Sequence, residues 1–503
     1  MHRVAHTQRV LSQIVSRPAA RLALLLGLWL ASLAIYYLAF CRPYALGTYL
    51  STPKLSTGVI AGRQAAPAAL FIFSVITLFA LYAAAYRLCR GWRSPGVGMT
   101  IGVCGLLSAL LLIQVYPIGA NDLFGYITAG ELLAHYDLNP MVYPASHVPN
   151  LPFAEYNAYA HIPPNYGPVW TWIEGLVVWI AGKPDLLRLT LGFKAVAVLG
   201  FGAACLVLGP VLRRRVPDEL NAGLVVLAWN PLVLFEVAVN GHNDIWIGLL
   251  LLCAVLLWET GHLLWLLVPL ALVPLIKLPA GAVLPLFFVA AWRLQPAGPR
   301  RLRFLLTGGA TVVAVVAVSY LSLPEGIKGL ANLGGRTDLF THSLPAVIKL
   351  GLQLITEERM AALLAGGATA LAFGGYALWQ LRNAWQTPQE AVRLAFNVLL
   401  FLLLVCISWF QPWYLLWIVP LAAVYPRRDA PFQAGLFALC ASWSYVVFGF
   451  VWFWIGRFSS WGNGLGIELM ATINTFALSW EYALLSGLRR DKVTRPAQTH
   501  SRK

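Results

Sequence analysis

Charge is what this chain has least of. Only 11% of its 503 residues are charged, and the acids number just 20 against 36 bases. Globular domains carry about 25% charged and about 45–50% apolar residues, whereas 59% of this chain is hydrophobic. Water cannot be the main solvent of such a surface, which excludes a soluble α/β enzyme and a disordered chain. The net charge of +16 would suit nucleic acid, but topology accounts for it below and no nucleic-acid partner is expected. Cysteine is scarce as well. Cys41, Cys89, Cys104, Cys205, Cys253, Cys406 and Cys440 lie almost all in or beside apolar runs, without paired or metal-ligand spacing, so neither disulfides nor zinc is expected. No internal repeat is visible.

What the chain has in abundance is long apolar sequence. A helix crossing a bilayer needs about 20 mostly apolar residues. Such runs lie near 20–41, 67–86, 97–116, 189–212, 221–239, 244–259, 262–276, 279–294, 303–323, 361–381, 392–410, 412–425, 432–455 and 466–487. The expected fold is therefore all-α and polytopic, with about 13–14 transmembrane helices. Two further stretches, 168–182 and 344–356, are too short or interrupted to span. If both stay juxtamembrane, every basic cluster falls on one side: Arg3 to Arg21, Arg87 to Arg93, Arg213 to Arg215, Arg293 to Arg303, Arg382 and Arg393, Arg427 and Arg428, and the tail from Arg489. Cytoplasmic loops are rich in Lys and Arg, so both termini are expected in the cytoplasm. The first apolar run reads as an uncleaved signal anchor behind basic residues.

Two outward regions follow from that orientation, 117–183 and 324–359. The first is aromatic and rich in proline. Apolar residues at Leu123, Phe124, Ile127, Leu132 and Leu133 predict a helix over Asp122 to Tyr136 with Asn121 as N-cap, amphipathic and lying on the membrane. Asp122 follows a span directly, so its carboxylate sits where hydrocarbon meets water, the environment of a proton acceptor. Capping that helix is the competing use. A second acid, Asp244, shares a tight turn with Asn240, His242 and Asn243, and Glu236 lies within the preceding span. Intramembrane carboxylates face a protein interior or cavity by default. Lys277, Arg336, Asp338, His342, Gln411, Trp413, Tyr414 and Arg457 fall at the same outer level. Taken together they describe a polar rim with aromatic walls, suited to a sugar stacked on rings and a lipid phosphate held by cations.

The stretches NDLFGYITAGELLAHYDLNP, NYGPVW, WNPLVLFEVAVNGHND and WFQPWYLLW resemble the GT-C integral membrane glycosyltransferases. More narrowly, they resemble the bacterial polyprenol-phosphate-mannose-dependent mannosyltransferases. The resemblance covers roughly 97–425, which divides the chain into a tail with two added spans (1–96), a catalytic region (97–425), C-terminal spans (426–487) and a basic tail (488–503). It implies an enzyme of the bacterial inner membrane with an outward-facing site. A sugar, foremost mannose, would pass from a polyprenyl-phosphate donor to a glycan or glycolipid acceptor, with membrane lipids around it. Asp122 maps to the family's proposed base and Asp244 to its second acid. Tyr126, Glu131, His242, Lys277, Arg336, His342, Gln411, Trp413 and Tyr414 are the candidate substrate contacts. Glu131 stands where a basic residue is common, and Met141 where tyrosine is. A phosphate leaving group can be held by Arg336, Lys277 or His342, in falling order, so no metal or other cofactor is expected to be obligatory. Two alternatives compete: a transporter or lipid-linked-sugar flippase using Glu236 and Asp244, and a glycan polymerase or ligase.

Overall fold

The computed structural model describes residues 17–332, 339–427, 429–456 and 465–493, and every regular element among them is helical. The principal helices are α1 (Pro18–Tyr36), α2 (Ala65–Cys89), α3 (Pro95–Leu112), α4 (Asp122–Tyr136), α5 (Pro168–Ala181), α6 (Leu186–Arg215), α7 (Leu220–Ala228), α8 (Asp244–Glu259), α9 (Pro299–Leu321), α10 (Glu358–Gln386), α11 (Ala391–Phe401), α12 (Ala430–Ser442) and α13 (Leu465–Val493). The chain is an all-α polytopic membrane protein. Among the described residues, 8 helices are long and apolar enough to cross a bilayer, or 9 if a pair bent by 47° counts as one.

Several of the apolar runs fold into pieces shorter than a span, and proline is the reason. The run at 262–276 holds only the helix Leu267–Leu272, the run at 279–294 opens with a 3-10 turn, and the run at 412–425 is a 3-10 turn followed by Val419–Ala423. Pro269, Pro274, Pro279, Pro412 and Pro420 interrupt the backbone ladder in these segments. The bent pair has the same origin. Asn230 and Pro231 stop α7 and restart the helix, with the Asn230 side chain accepting from the amides of Leu232 and Val233 at 3.0 and 3.3 Å.

The ends of the bundle differ in chemistry. At one end Arg93 pairs with Asp218 at 2.7 Å, Arg427 with Glu219 at 3.0 Å, and Arg215 with Glu259, while Arg21 donates to the carbonyl of Arg90 at 3.0 Å. Helix α3 starts beside Arg93 and runs about 27 Å at 1.5 Å per residue toward Asp122. The basic clusters thus gather away from Asp122, as charge placement predicts.

The path from α3 to Asp122 is tied down by groups far away in sequence. Leu46 donates its amide to the carbonyl of Gln114 at 2.7 Å, and Tyr116 to that of Tyr44 at 2.8 Å. Thr57 Oγ1 donates to Ile118 at 2.8 Å. The buried Lys194 ammonium donates to the carbonyls of Ile113 at 3.3 Å and Ala238 at 3.2 Å and also to Val115, so it satisfies acceptors left open where two helices end. Residues 44–57, set apart from the catalytic region on sequence, therefore hold the segment that carries Asp122.

Helix α4 spans Asp122–Tyr136 as its periodicity predicts, but not as an amphipathic surface helix. Leu123, Phe124, Tyr126 to Leu132 are all buried, so nearly every face is covered by protein. Nor does Asn121 cap it: the residue stands at the cap position without a side-chain bond to the helix. Close contact with α5 depends on Gly130, where an added Cβ would lie 2.5 Å from both the Glu174 carbonyl and Val178 Cγ2. Gly130→Val is expected to destabilise the protein by about 1–3 kcal/mol through overpacking, read as a lowered thermal midpoint in detergent. An unchanged midpoint would show that the α4–α5 contact is not close-packed.

Candidate active site

At the end of the bundle opposite the basic clusters lies a cavity of about 260 Å³, lined by Asn121, Asp122, Tyr166, Lys277, Trp409, Gln411, Trp413 and Tyr414 among others. Five of the residues expected from sequence, Asp122, Lys277, Gln411, Trp413 and Tyr414, meet here from three separate stretches of chain, and Tyr166 brings a fourth.

Two backbone hydrogen bonds bring two of those stretches into register. Gly167 donates to the carbonyl of Ile276 at 3.1 Å, and Val169 to that of Leu275 at 3.0 Å. Tyr166 and Lys277, the residues next to those bonds, are thereby held side by side. The Lys277 Nζ sits 5.3 Å from the Tyr166 ring centre and 4.7 Å from that of Tyr414, a cation on aromatic faces. Tyr166 in turn donates its hydroxyl to Asp122 Oδ2 at 3.0 Å. Burial, and then the Asp122 carboxylate, push the Tyr166 phenol well above its ordinary range, so it remains a donor.

Asp244 does not line the cavity. It is fully buried behind Lys277, whose ammonium donates to both of its oxygens at 3.0 and 2.9 Å, while Trp417 Nε1 donates to Oδ1 at 2.7 Å. Its contacts place it as the counter-charge of Lys277. His242 is also one layer back. Its ring stacks on Trp413 with centroids 3.9 Å apart at 17°, and its Nε2 lies 3.5 Å from Glu236 Oε2. Glu236 further accepts from Asn240 Nδ2 at 2.8 Å and from the Tyr445 hydroxyl. Asn240 closes the network by accepting the Gly119 amide at 3.0 Å. A residue larger than glycine would displace this network, because a Cβ on Gly119 would stand 2.5 Å from Asn240 Nδ2.

Other sequence candidates lie elsewhere. Tyr126 is buried beneath the cavity floor, edge-on to Tyr166 and Trp170 at 5.2 and 5.1 Å. Glu131 is buried on α4 and bonds His135 at 2.7 Å, one helical turn on. His342 is buried among Phe410, Phe448 and Phe476, with its Nε2 2.6 Å from Thr475 Oγ1. None of the three is part of the cavity wall. Arg336 lies outside the described residues. Conversely, Tyr166 and Asn121 were not expected to face a ligand. The Asn121 Oδ1 is buried and makes no hydrogen bond among the described residues, an acceptor that a substrate hydroxyl would complete. Among the described residues four π-helical turns occur, Tyr37–Cys41, Phe235–Val239, Leu402–Cys406 and Val447–Val451, and the second and third lead directly into the turn of Asp244 and the segment of Gln411. Such turns concentrate at functional sites. Among the described residues, no group of three or more His, Cys, Asp or Glu side chains could hold a metal ion.

The arrangement of Asp244 and Lys277 yields a stability test. Asp244→Leu leaves a buried ammonium without its partner and is expected to cost about 3–5 kcal/mol. Adding Lys277→Met should recover most of that loss in thermal unfolding. Strictly additive losses would mean that the two groups do not depend on each other.

Comparison with known families adds what geometry alone does not supply. Residues 24–293 match the family described as alpha-(1->6)-mannopyranosyltransferase, N-terminal domain. That match takes in most of α1 and all of α2 and carries Asp122, Tyr166, Asp244 and Lys277. Comparison with curated proteins and with solved structures finds no match. A membrane-embedded bundle with a polar, aromatic-walled cavity, matched over more than half its length, belongs to the alpha-(1->6)-mannopyranosyltransferase family.

Proposed function

We propose that the chain transfers mannose from a polyprenyl-phosphate donor to a hydroxyl of a glycan or glycolipid, in the cavity above Asp244, on the outward face of the bacterial inner membrane. One observation carries this reading: Asp122 and Lys277 line the same cavity and are joined through Tyr166, whose hydroxyl bonds the carboxylate while its ring lies under the ammonium. A base and a cation so placed match the two ends of an in-line displacement. The acceptor hydroxyl oxygen attacks the anomeric carbon and its proton passes to Asp122. The bond from that carbon to the phosphate oxygen breaks, and its electron pair leaves on the phosphate. Lys277 faces the developing charge. The product is inverted at the anomeric carbon.

In this scheme Asp244 is a positioning residue. It neutralises part of the ammonium charge and, with Trp417, fixes where the ammonium points. The Trp413 ring lines the cavity as a surface on which a sugar stacks, and the His242 stack holds its plane. Of the three cations the sequence proposed for the phosphate, Lys277 is the one that lines the cavity among the described residues, and Arg336 lies outside them.

Asp122→Asn should lower transfer from polyprenyl-phosphate mannose about 10²–10⁴-fold with donor binding retained, measured as radiolabel incorporated into product by purified protein in lipid. Near-normal turnover would remove Asp122 from the base role. Lys277→Met should lower kcat about 10²–10³-fold, more than it raises KM. A donor whose leaving group needs only a cationic side chain also predicts full activity in EDTA. Loss restored by magnesium or manganese would overturn that point.

A further inference from the structure

A second and larger hollow lies beside the cavity. It has a volume of about 1060 Å³ and runs along α10, between Glu358 and Phe373, against Leu402 and Cys406 of a π-helical turn, with Phe340 facing Gly366. The fifteen helical steps from Glu358 to Phe373 correspond to about 22 Å. The long axis of the hollow therefore follows a membrane-spanning helix from its charged start into its apolar length. Leu363, Phe373, Leu402 and Cys406 give it an apolar lining. Its rim carries Lys349, Glu358 and Arg359. Lys349 and Glu358 pair at 2.9 Å, so the rim bears one net positive charge.

This groove and the cavity share a wall. Ser408 lines the groove, and Trp409 and Gln411 line the cavity. The extended segment between them is pinned from one side: Thr341 donates its amide to the Ser408 carbonyl at 3.0 Å, Phe410 donates to Thr341 at 3.3 Å, and Ser343 Oγ donates to Ser408 at 2.7 Å. One stretch of backbone thus separates a polar, aromatic-walled chamber from an apolar trough with a basic rim. A molecule with a sugar, an anionic phosphate and a long hydrocarbon chain presents those same three chemistries in that order.

We propose that this groove takes the isoprenoid chain of the mannosyl donor, whose phosphate passes over residues 408–411 to reach Lys277. The inference rests on the lipid-linked donor of the preceding subsection. It assigns a substrate-binding role to α10 and the 402–408 segment, both beyond the residues that match the family. Gly366 is the position that tests it. It lines the groove, and an added Cβ would meet only Phe340 across the hollow, at 3.9 Å. A large side chain there fills the trough without striking backbone. Gly375, about two and a half turns further along α10, has nothing within 4 Å of an added Cβ and lies outside the groove.

The experiment compares mannosyl phosphates bearing a full-length and a short, water-soluble isoprenoid chain, and reads the ratio of their kcat/KM values. Gly366→Phe is expected to lower the long-to-short ratio about tenfold, through KM for the long donor, while Gly375→Phe keeps the ratio of the unsubstituted protein. A Gly366→Phe ratio equal to that of the unsubstituted protein overturns the proposal and leaves the groove to ordinary membrane lipid. A second measurement does not depend on a variant folding. A full-length prenyl phosphate with a photoreactive group in its chain should label peptides within 358–373 or 402–408 of the unsubstituted protein. Labelling confined to other helices overturns the proposal. Turnover of neither donor by the unsubstituted protein is a different failure, since it removes the lipid-linked donor itself and the groove assignment with it.

Discussion

A lysine and an aspartate buried side by side organise the functional end of this protein. Neither Lys277 nor Asp244 would be tolerable there alone, because an isolated charge in a low-dielectric interior is costly by several kcal/mol. Together they neutralise each other, and Trp417 supplies a further hydrogen bond to the carboxylate. The consequence is geometric. An ammonium bonded to both oxygens of one carboxylate has few other places to be, and the side of it away from Asp244 is turned to aromatic rings and to the cavity. A cation that is held, partly neutralised and still accessible is what an enzyme needs opposite a leaving phosphate.

The surroundings of that pair are arranged to keep it in place. Backbone bonds between 167–169 and 275–276 hold Tyr166 beside Lys277, and Tyr166 reaches Asp122. Glu236, Asn240, His242 and Tyr445 form a second buried polar layer, in which a residue of the α12 region reaches a carboxylate near α7. Buried polar networks of this kind hold well only when their members are paired. In this one, His242 also stacks on Trp413 and so couples the network to the cavity wall. Stability and substrate recognition therefore share the same side chains.

How much of this was legible in the chain can be judged residue by residue. Asp122 and Lys277 were legible because charge is rare here and an ionisable group at the end of an apolar run has few inexpensive explanations; Gln411, Trp413 and Tyr414 were legible as a polar and aromatic cluster, WFQPWY, at the same outer level. The reading of polar residues at the outer level also selected His342, and the family resemblance selected Glu131; local structure gives each a partner, His135 a turn away for Glu131, and Thr475 within a ring of phenylalanines for His342. A polar residue in apolar sequence signals that a partner exists, without saying whether the partner is a neighbour or a substrate. Tyr166 was missed for the opposite reason. Its stretch, NYGPVW, carries the family resemblance, but nothing local gives the tyrosine hydroxyl a partner until the loop is seen hydrogen-bonded to the segment before Lys277.

The sequence by itself determined the solvent, the helical class, the segregation of basic residues to one end and the importance of its scarce acids, because each of these follows from composition and spacing summed along the chain. Tertiary structure decided which helices are full spans and which are broken by proline. It also decided that Asp244 backs Lys277 and does not face the cavity, and that a groove adjoins the site across residues 408–411. These depend on contacts between residues tens to hundreds of positions apart, such as Trp417 with Asp244 and Tyr445 with Glu236. No local pattern encodes such contacts. They come into being only when the bundle closes and each buried polar atom must find its partner.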